Sequence, residues 1–238
     1  MTIGGFKKFS VIEYPGHLSA VIFLKGCNFR CPYCYNKELV KPKAKSEKGK
    51  AIPEKEIFEF LKSRKGLLDA VCITGGEPTL QKDLKQFCKK IKKLGFKIMI
   101  ETNGSNPDVL EKLIKEKLID AVALDIKTSP SNYQKLIGKL PKANTLEKIK
   151  KSIDLIKKSN IFYEFRTTCV PEIVAESDLK ELVKWIGRAK RYVLQQFRPE
   201  NTLEEHFEKI KPYSDEEIKK FVEIVDPYFK EVELRGVN

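Results

Sequence analysis

The sequence has no long apolar run, no apolar leader and no second cluster of cysteines. No stretch approaches the roughly 20 apolar residues that cross a bilayer, and the first residues, MTIGGFKKFS, lack the apolar core of a secretory signal peptide. We therefore expect a cytoplasmic protein without membrane attachment, whose cysteines are reduced rather than paired in disulfides. Of the 6 cysteines in the chain, three lie close together and the others stand apart.

The excess of positive charge does not form a nucleic-acid-binding stripe. Lys and Arg number 46 against 33 Asp and Glu, which gives a formal net charge of +13. Lysines are spread along almost every predicted helix and mixed with glutamate, as in EKEIFEFLKSRK. This pattern is typical of a solvated helix face. We expect no nucleic-acid partner, although the excess charge favours encounter with an acidic protein.

Short apolar runs alternate with amphipathic helical patterns along most of the 238 residues. Near-continuous apolar runs are typical of parallel strands buried on both faces. Strands of this kind are predicted at Leu18–Leu24, Ala70–Thr74, Phe96–Thr102, Ala121–Ile126, Ile161–Thr168 and Tyr192–Phe197. The repeated β–α alternation predicts an α/β fold with a parallel sheet and right-handed crossovers. Periodicity alone does not decide between an open sheet and a barrel.

Capping residues and apolar spacing place helices between these strands. Helices are predicted near Ile52–Leu61, over Leu80–Leu94, after the caps Asn106, Asn144 and Ser177, and after the Ser214–Glu217 capping box. A hairpin is expected around Tyr14-Pro15-Gly16, and Glu231–Leu234 is expected to add an edge strand. The lysine-rich segment Lys41–Lys50 is expected to be a mobile surface loop.

The segment Lys25–Asn36, KGCNFRCPYCYN, carries three cysteines on one loop after the first of these strands. Cys27, Cys31 and Cys34 form a Cys-x3-Cys-x2-Cys array. Three thiolates can hold three irons of a [4Fe–4S] cube and leave the fourth iron open to a small molecule. A structural zinc site is the alternative, but it needs a fourth ligand, and no other cysteine or histidine lies in a second close pair. The patterns around the other cysteines place Cys72 and Cys88 in the core, and Cys169 in the core or near a ligand.

Polar residues gather where the later strands end. In parallel α/β folds the reactive groups lie beyond the carboxyl ends of the strands. The segments concerned are Thr74-Gly75-Gly76-Glu77-Pro78, Glu101-Thr102-Asn103-Gly104, Asp125 with Lys127, Arg166 with Thr167, and Gln195 with Gln196. Gly75 and Gly76 would let a ligand approach the backbone, and Glu77 could accept hydrogen bonds from a ligand ammonium. Arg166 could hold a carboxylate in a bidentate contact. Glu101 and Asp125 are explained equally well as helix-terminus partners or as ion-pair partners of Lys127 or Arg166.

Taken together, these residues resemble the radical S-adenosylmethionine (SAM) superfamily. The cysteine array with Tyr35 directly after it resembles the cluster motif of that superfamily, and Gly75-Gly76-Glu77 resembles its element that contacts the amino group of SAM. Several stretches are most similar to the activating enzymes of glycyl-radical proteins, namely GFKKFSVIEYPG, FLKGCNFRCPYCYN, TGGEPTLQ, ETNGSNP, ALDIK, YEFRTTCVP and LQQFRP. They span most of Gly5 to Pro199.

The resemblance implies a single radical SAM domain over residues 1–238, with a core of about 18–200. The implied fold is a partial (β/α)6 TIM-like barrel with an N-terminal hairpin and a short C-terminal extension. Cys27, Cys31 and Cys34 would hold a [4Fe–4S] cluster whose open iron takes SAM, which is cleaved reductively to methionine and a 5′-deoxyadenosyl radical. The residues implied in cofactor binding are Tyr33, Tyr35, Gly75, Gly76, Glu77, Glu101, Thr102, Asn103, Asp125, Lys127, Arg166 and Thr168. Glu101, where the commoner residue is aspartate, and Asp125 are implied in holding a monovalent cation beside SAM.

The implied activity is that of an oxidoreductase that generates a glycyl radical on a partner, such as an anaerobic ribonucleotide reductase. With no second cysteine cluster, such an activase takes its electrons from an external donor such as a flavodoxin or a ferredoxin. Two other functions stay open at this point. One is a small radical SAM synthase such as 7-carboxy-7-deazaguanine synthase, and the other is a non-catalytic zinc- or RNA-binding module.

Overall fold

Eight strands form one sheet in the computed structural model, in the order in which they occur along the chain. The structure describes residues 1–40, 51–133, 136 and 144–237, so the predicted surface loop at 41–50 lies outside the described residues. The strands are β1 Ile3–Ser10, β2 Ser19–Leu24, β3 Ala70–Gly75, β4 Lys97–Thr102, β5 Ala121–Asp125, β6 Phe162–Cys169, β7 Ala189–Gln196 and β8 Phe229–Arg235. β1 pairs antiparallel with β2, and each later strand pairs parallel with the strand before it.

The strand order is that of a partial barrel. Each strand from β2 to β7 lies between its neighbours in sequence, which is the order of a barrel and not of a doubly wound sheet. Over the described residues no pairing joins β1 to β8, so the barrel is open along one side. The six predicted parallel strands are confirmed as β2 to β7. The N-terminal hairpin and the final edge strand are confirmed as well.

Helices occupy the connections and cover the outside of the sheet. They are α1 Lys37–Val40, α2 Glu54–Ser63, α3 Leu84–Lys93, α4 Pro107–Lys115, α5 Thr145–Lys158, α6 Glu176–Ile186 and α7 Asp215–Val225. The longer helices bury an apolar stripe, as Leu84, Phe87 and Ile91 do on α3. Cys88 lies on the same buried face, which confirms that it is a core residue. None of the described helices is long and apolar enough to cross a membrane.

The inside of the barrel changes from apolar to charged along the strands. Near the amino ends it is filled by small or flexible apolar side chains, all fully buried: Ala70, Cys72, Met99, Ala121 and Ala123. Side chains on one face of a strand recur every second residue. The next positions on this face are therefore Thr74 on β3, Glu101 on β4 and Asp125 on β5. The pleat thus places an apolar floor beneath a polar wall at the carboxyl ends.

Two helix starts differ from the sequence predictions. Ser177 as the cap of α6 is wrong, because the N-cap is Ala175, whose N–H donates to the Asp178 side chain at 3.0 Å. The helix predicted over Leu80–Leu94 is divided into a single 3₁₀ turn at Pro78–Leu80 and α3. The break falls at Gln81, whose backbone is extended and whose side-chain amide donates to the Lys25 carbonyl at 2.9 Å.

Candidate active site

A cavity of about 710 Å³ lies at the carboxyl ends of the strands. Its wall contains nearly all the residues that the sequence analysis proposed for cofactor binding. These are Cys27, Cys31, Tyr33, Cys34, Tyr35, Gly75, Gly76, Glu101, Thr102, Asn103, Asp125, Lys127, Arg166 and Thr168. Glu77 is the exception. Both free edges of the sheet also contribute, since Ile12 and Glu13 follow β1 while Arg235 and Gly236 come from the end of β8.

The three cysteines of the loop are free thiols at this cavity. The loop is shaped by local backbone contacts: the Cys34 N–H donates to the Cys31 carbonyl at 3.0 Å, and the Phe29 N–H donates to the Cys27 sulfur at 3.3 Å. Burial raises the pKa of Cys27 to about 11 and that of Cys31 to about 12. Because a thiol must lose its proton to bind a metal, loading this loop with iron releases protons.

Gly75 and Gly76 fasten the end of β3 to the start of the cysteine loop. The Gly76 N–H donates to the Leu24 carbonyl at 2.8 Å, and the Glu77 N–H donates to the Gly26 carbonyl at 2.8 Å. A Cβ on Gly76 would overlap the Gly26 carbonyl, and one on Gly75 would overlap the backbone of Leu24. Larger residues are therefore excluded by contact between two backbones. Both glycines also line the cavity, and the approach of a ligand to them stays a prediction.

The carboxylate of Glu77 does not face the cavity, which corrects its predicted role as an acceptor for a ligand ammonium. The side chain is fully buried. It accepts hydrogen bonds from the Thr79 N–H at 3.0 Å, the Thr102 hydroxyl at 2.7 Å and the Asn103 N–H at 2.7 Å. The Thr79 hydroxyl is a fourth donor. Burial raises the pKa of Glu77, and these hydrogen bonds oppose that rise. Glu77 therefore joins the ends of β3 and β4 through hydrogen bonds.

Asn103 extends this hydrogen-bond network to the cysteine loop. Its side-chain amide donates to the Asn28 side-chain oxygen at 2.9 Å and lies 3.9 Å from the Cys27 sulfur. Its side-chain oxygen accepts from the Ser105 N–H at 3.0 Å, and the Ser105 hydroxyl accepts from the Asn28 amide at 2.8 Å. The loops after β2, β3 and β4 therefore form one hydrogen-bonded unit around Cys27.

Arg166 on β6 joins the two acids of the cavity wall. Its Nε donates to Asp125 at 2.9 Å, and its Nη1 donates to Glu101 at 2.9 Å. Lys127 donates to the other oxygen of Asp125 at 2.9 Å. Of the two explanations offered for these acids, ion pairing with Arg166 and Lys127 is the one that the structure shows. Arg166 thus holds two protein carboxylates by one hydrogen bond each, and its bidentate contact with a ligand carboxylate stays a prediction.

The two tyrosines of the cysteine loop differ in what their hydroxyls contact. The Tyr33 ring is buried, and its hydroxyl has no hydrogen-bond partner among the described residues although Tyr33 lines the cavity. The Tyr35 hydroxyl accepts from the Arg198 N–H at 2.9 Å, and its ring stacks on Phe197. Within the described ranges, Tyr33 therefore leaves a buried hydroxyl without a partner beside the cavity, whereas Tyr35 ties the loop to the segment after β7.

The sequence profile of the Radical SAM superfamily matches residues 21–186. The chain belongs to this superfamily. A Methanocaldococcus jannaschii protein, provisionally named a glycyl-radical enzyme activating enzyme, is 39% identical over 241 residues, which cover 99% of this chain and 96% of that protein. A 7-carboxy-7-deazaguanine synthase of Methanopyrus kandleri is 29% identical over 137 residues, which cover 48% of this chain and 51% of the synthase. A solved radical SAM methyltransferase from Sphaerobacter thermophilus has the same fold, with a TM-score of 0.68 and 14% identity over 93% of this chain and 67% of that one.

A radical SAM protein is an enzyme, so membership removes the support for a non-catalytic zinc- or RNA-binding module. The superfamily uses a [4Fe–4S] cluster and SAM, and the cavity residues fit both. In the part of the chain that the structure describes, no three His, Cys, Asp or Glu side chains are placed to hold a single metal ion. A cubane cluster instead takes each thiolate at a different iron. The wall offers charges of both signs to a zwitterion such as SAM, and the Tyr33 hydroxyl still lacks a partner there.

Sequence reasoning missed part of the cavity wall. The lining residues not singled out from the sequence are Ile12, Glu13, Phe29, Asn36, Val40, Arg198, Glu200, Asn201, Arg235 and Gly236. Most lie on loops that carry no strand-end pattern. Arg235 was within reach, because it directly follows a strand predicted to end at Leu234. Conversely, Thr167 is buried, with its hydroxyl donating to the Ile126 carbonyl at 2.7 Å, and Cys169 is a core residue.

Proposed function

We propose that this radical SAM enzyme activates a glycyl-radical enzyme by generating a radical on one of its glycines. The observation that carries the proposal is the position of the cavity at the open side of the barrel. Its lining includes residues from both free edges, such as Glu13 after β1 and Gly236 after β8. A cavity between two sheet edges suits an extended segment of a partner protein, whereas small ligands are usually enclosed. The near full-length relative, provisionally named as an activating enzyme, supports the same function.

The chain's own part is to bind and to order the reacting groups. When bound, the cluster and SAM supply the one-electron chemistry that removes a hydrogen atom from the glycine. The cysteine loop provides three thiolates, and the unit formed by Glu77 and Asn103 keeps Cys27 in position. Tyr33 and Thr168 line the cavity, and Thr168, which is partly exposed, offers its hydroxyl to the nucleoside part of SAM. Lys127 and Arg166 keep positive charge at the wall between β5 and β6.

We further propose that the partner is an anaerobic ribonucleotide reductase and that an external flavodoxin or ferredoxin supplies the electron. The remaining cysteines among the described residues are buried apart from one another, at Cys72, Cys88 and Cys169, so they offer no second cluster to store electrons. The net charge of +13 favours encounter with an acidic donor.

The proposal is tested by mixing the components without oxygen. Cluster-loaded protein, dithionite, SAM and a candidate glycyl-radical protein are combined, the products are separated by chromatography, and the sample is examined by electron paramagnetic resonance. We expect methionine, 5′-deoxyadenosine and a glycyl radical signal, and none of the three with the Cys31→Ala variant. SAM cleavage with no glycyl radical on any anaerobic ribonucleotide reductase tested would contradict the proposed partner.

A small-molecule synthase is the second candidate, and the Methanopyrus kandleri relative favours it. The matched region covers about half of each chain, so it carries less weight than the near full-length match to the activase-like relative. Turnover of the synthase's own substrate in the absence of any partner protein would favour this function over the activase.

A further inference from the structure

All four carboxylate oxygens of Glu101 and Asp125 already have a donor from the protein. Arg166 Nη1 lies 2.9 Å from one oxygen of Glu101, and the Thr74 hydroxyl donates to the other at 2.6 Å. Arg166 Nε and Lys127 Nζ each lie 2.9 Å from one of the two oxygens of Asp125. Glu101 and Asp125 are the residues that the family resemblance implies in binding a monovalent cation. A cation on them would share these oxygens with Arg166 and Lys127 and would lie close to both of their positive charges.

The charge at this wall is balanced without an added ion. Glu101 and Asp125 bring two negative charges, and Arg166 and Lys127 bring two positive charges. A monovalent cation beside these acids would therefore meet a guanidinium and an ammonium at short range, and like charges repel most strongly where water is scarce.

A third carboxylate, from the same strand, also lies close to the Arg166 guanidinium. Glu164, fully buried on the same strand, lies 3.6 Å from Arg166 Nη1. Arg235 binds both oxygens of Glu164 at 2.8 Å each, so that acid is neutralised independently. With only 7% of its side chain exposed, Arg166 has little freedom to leave the wall. Glu101 is one methylene longer than the aspartate usual in the family, and it contacts Arg166 across the intervening strand β5.

We propose that Arg166, together with Lys127, takes the place of the monovalent cation in this chain, so that SAM binding does not require Na⁺ or K⁺. The family resemblance implies a cation at Glu101 and Asp125, whereas in this chain both acids are already paired with Arg166 or Lys127. The inference rests on the SAM site proposed above, and it is independent of which partner is activated.

The test measures SAM binding by equilibrium dialysis to the cluster-loaded protein at equal ionic strength in KCl, NaCl and choline chloride. We expect dissociation constants that agree within about twofold. Arg166→Gln is expected to bind SAM about tenfold more weakly in choline chloride and to recover in KCl, because the unpaired acids then accept an ion. Arg188→Gln removes an exposed arginine as the matched control and should behave as wild type.

Three results would overturn the proposal. The first is a loss of about tenfold or more in wild-type affinity when choline replaces K⁺. The second, which holds even if Arg166→Gln fails to fold, is a SAM-dependent bound-sodium signal in ²³Na magnetic resonance of the wild-type protein. The third is the absence of SAM binding in all three salts with a full cluster. This last result would refute the SAM site itself and the inference with it, whereas the first two leave the SAM site standing.

Discussion

Replacing Glu77 by alanine is expected to destabilise the fold while leaving the SAM affinity of the folded protein nearly unchanged. The carboxylate accepts four hydrogen bonds inside the protein and does not line the cavity. Its removal therefore leaves buried donors without acceptors but takes no contact away from a ligand. This expectation is the reverse of the one that the sequence motif suggests.

The magnitude follows from the donors that are left behind. The Thr79 and Asn103 N–H groups lose their acceptor, at about 1–3 kcal/mol for each unsatisfied buried group. The two hydroxyls also lose an acceptor for their O–H groups, but these can rotate, and their oxygens still accept from the Asn106 side chain and the Gly104 N–H. Relief of the buried charge offsets part of the loss. We expect the free energy of unfolding to decrease by about 3 kcal/mol. This value lies within the range of about 2–6 kcal/mol for two unsatisfied groups. It is a large part of the typical total of about 5–15 kcal/mol.

The assay is urea unfolding of the apoprotein, followed by SAM binding to cluster-loaded protein. Glu172→Ala is the matched control, because Glu172 is 58% exposed and pairs with His206 at the surface. It should change the free energy of unfolding by no more than about 0.5 kcal/mol. A Glu77→Ala protein as stable as wild type, with SAM affinity reduced about tenfold, would refute the placement of this carboxylate.

Three further changes test other parts of the site. Alanine at any one of the three loop cysteines should abolish cluster assembly, measured as iron and sulfide per chain. Cys72→Ala should keep the cluster, because Cys72 lies among the apolar residues inside the barrel. Full iron in any loop variant would contradict the ligand assignment. Gly76→Ala should lower stability and iron content, because the added Cβ overlaps the Gly26 carbonyl. In the control Gly5→Ala, the atom nearest to the added Cβ lies at 3.4 Å. Equal iron content in the two variants would count against this packing. The ion pairs depress the pKa of Asp125 from its ordinary 3.8 to about 2, so their stabilisation is complete above the higher value and is lost as the pH falls through the lower one. The difference in unfolding free energy between wild type and Asp125→Asn should shrink over that range, and a constant difference would contradict it.

The parts of the site that could be predicted are those that depend on spacing along the chain. The interval between Cys27, Cys31 and Cys34 places three thiols on one loop whatever surrounds them. The carboxyl ends of parallel strands converge, which is why the sequence predicts Glu101 and Asp125 as neighbours.

What could not be predicted depends on which groups meet across strands. A carboxylate after Gly75-Gly76 has the same sequence whether it faces a ligand or a neighbouring loop. The Thr102 hydroxyl and the Asn103 N–H at the end of β4 hold Glu77 away from the cavity. Strand order likewise leaves no trace in periodicity, so a barrel and an open sheet are equivalent until pairing is known. Ser177 and Asp178 are adjacent acceptors at a helix start, and the longer side chain is the one that reaches the cap.

The most direct test of the activase function follows a deuterium label from the partner. An anaerobic ribonucleotide reductase carrying Cα-deuterated glycine is mixed with the reduced, cluster-loaded protein and SAM, and the 5′-deoxyadenosine formed is analysed by mass spectrometry. The proposed function predicts deuterium in the 5′-deoxyadenosine and a glycyl radical in the same sample. Unlabelled 5′-deoxyadenosine without a glycyl radical would contradict it.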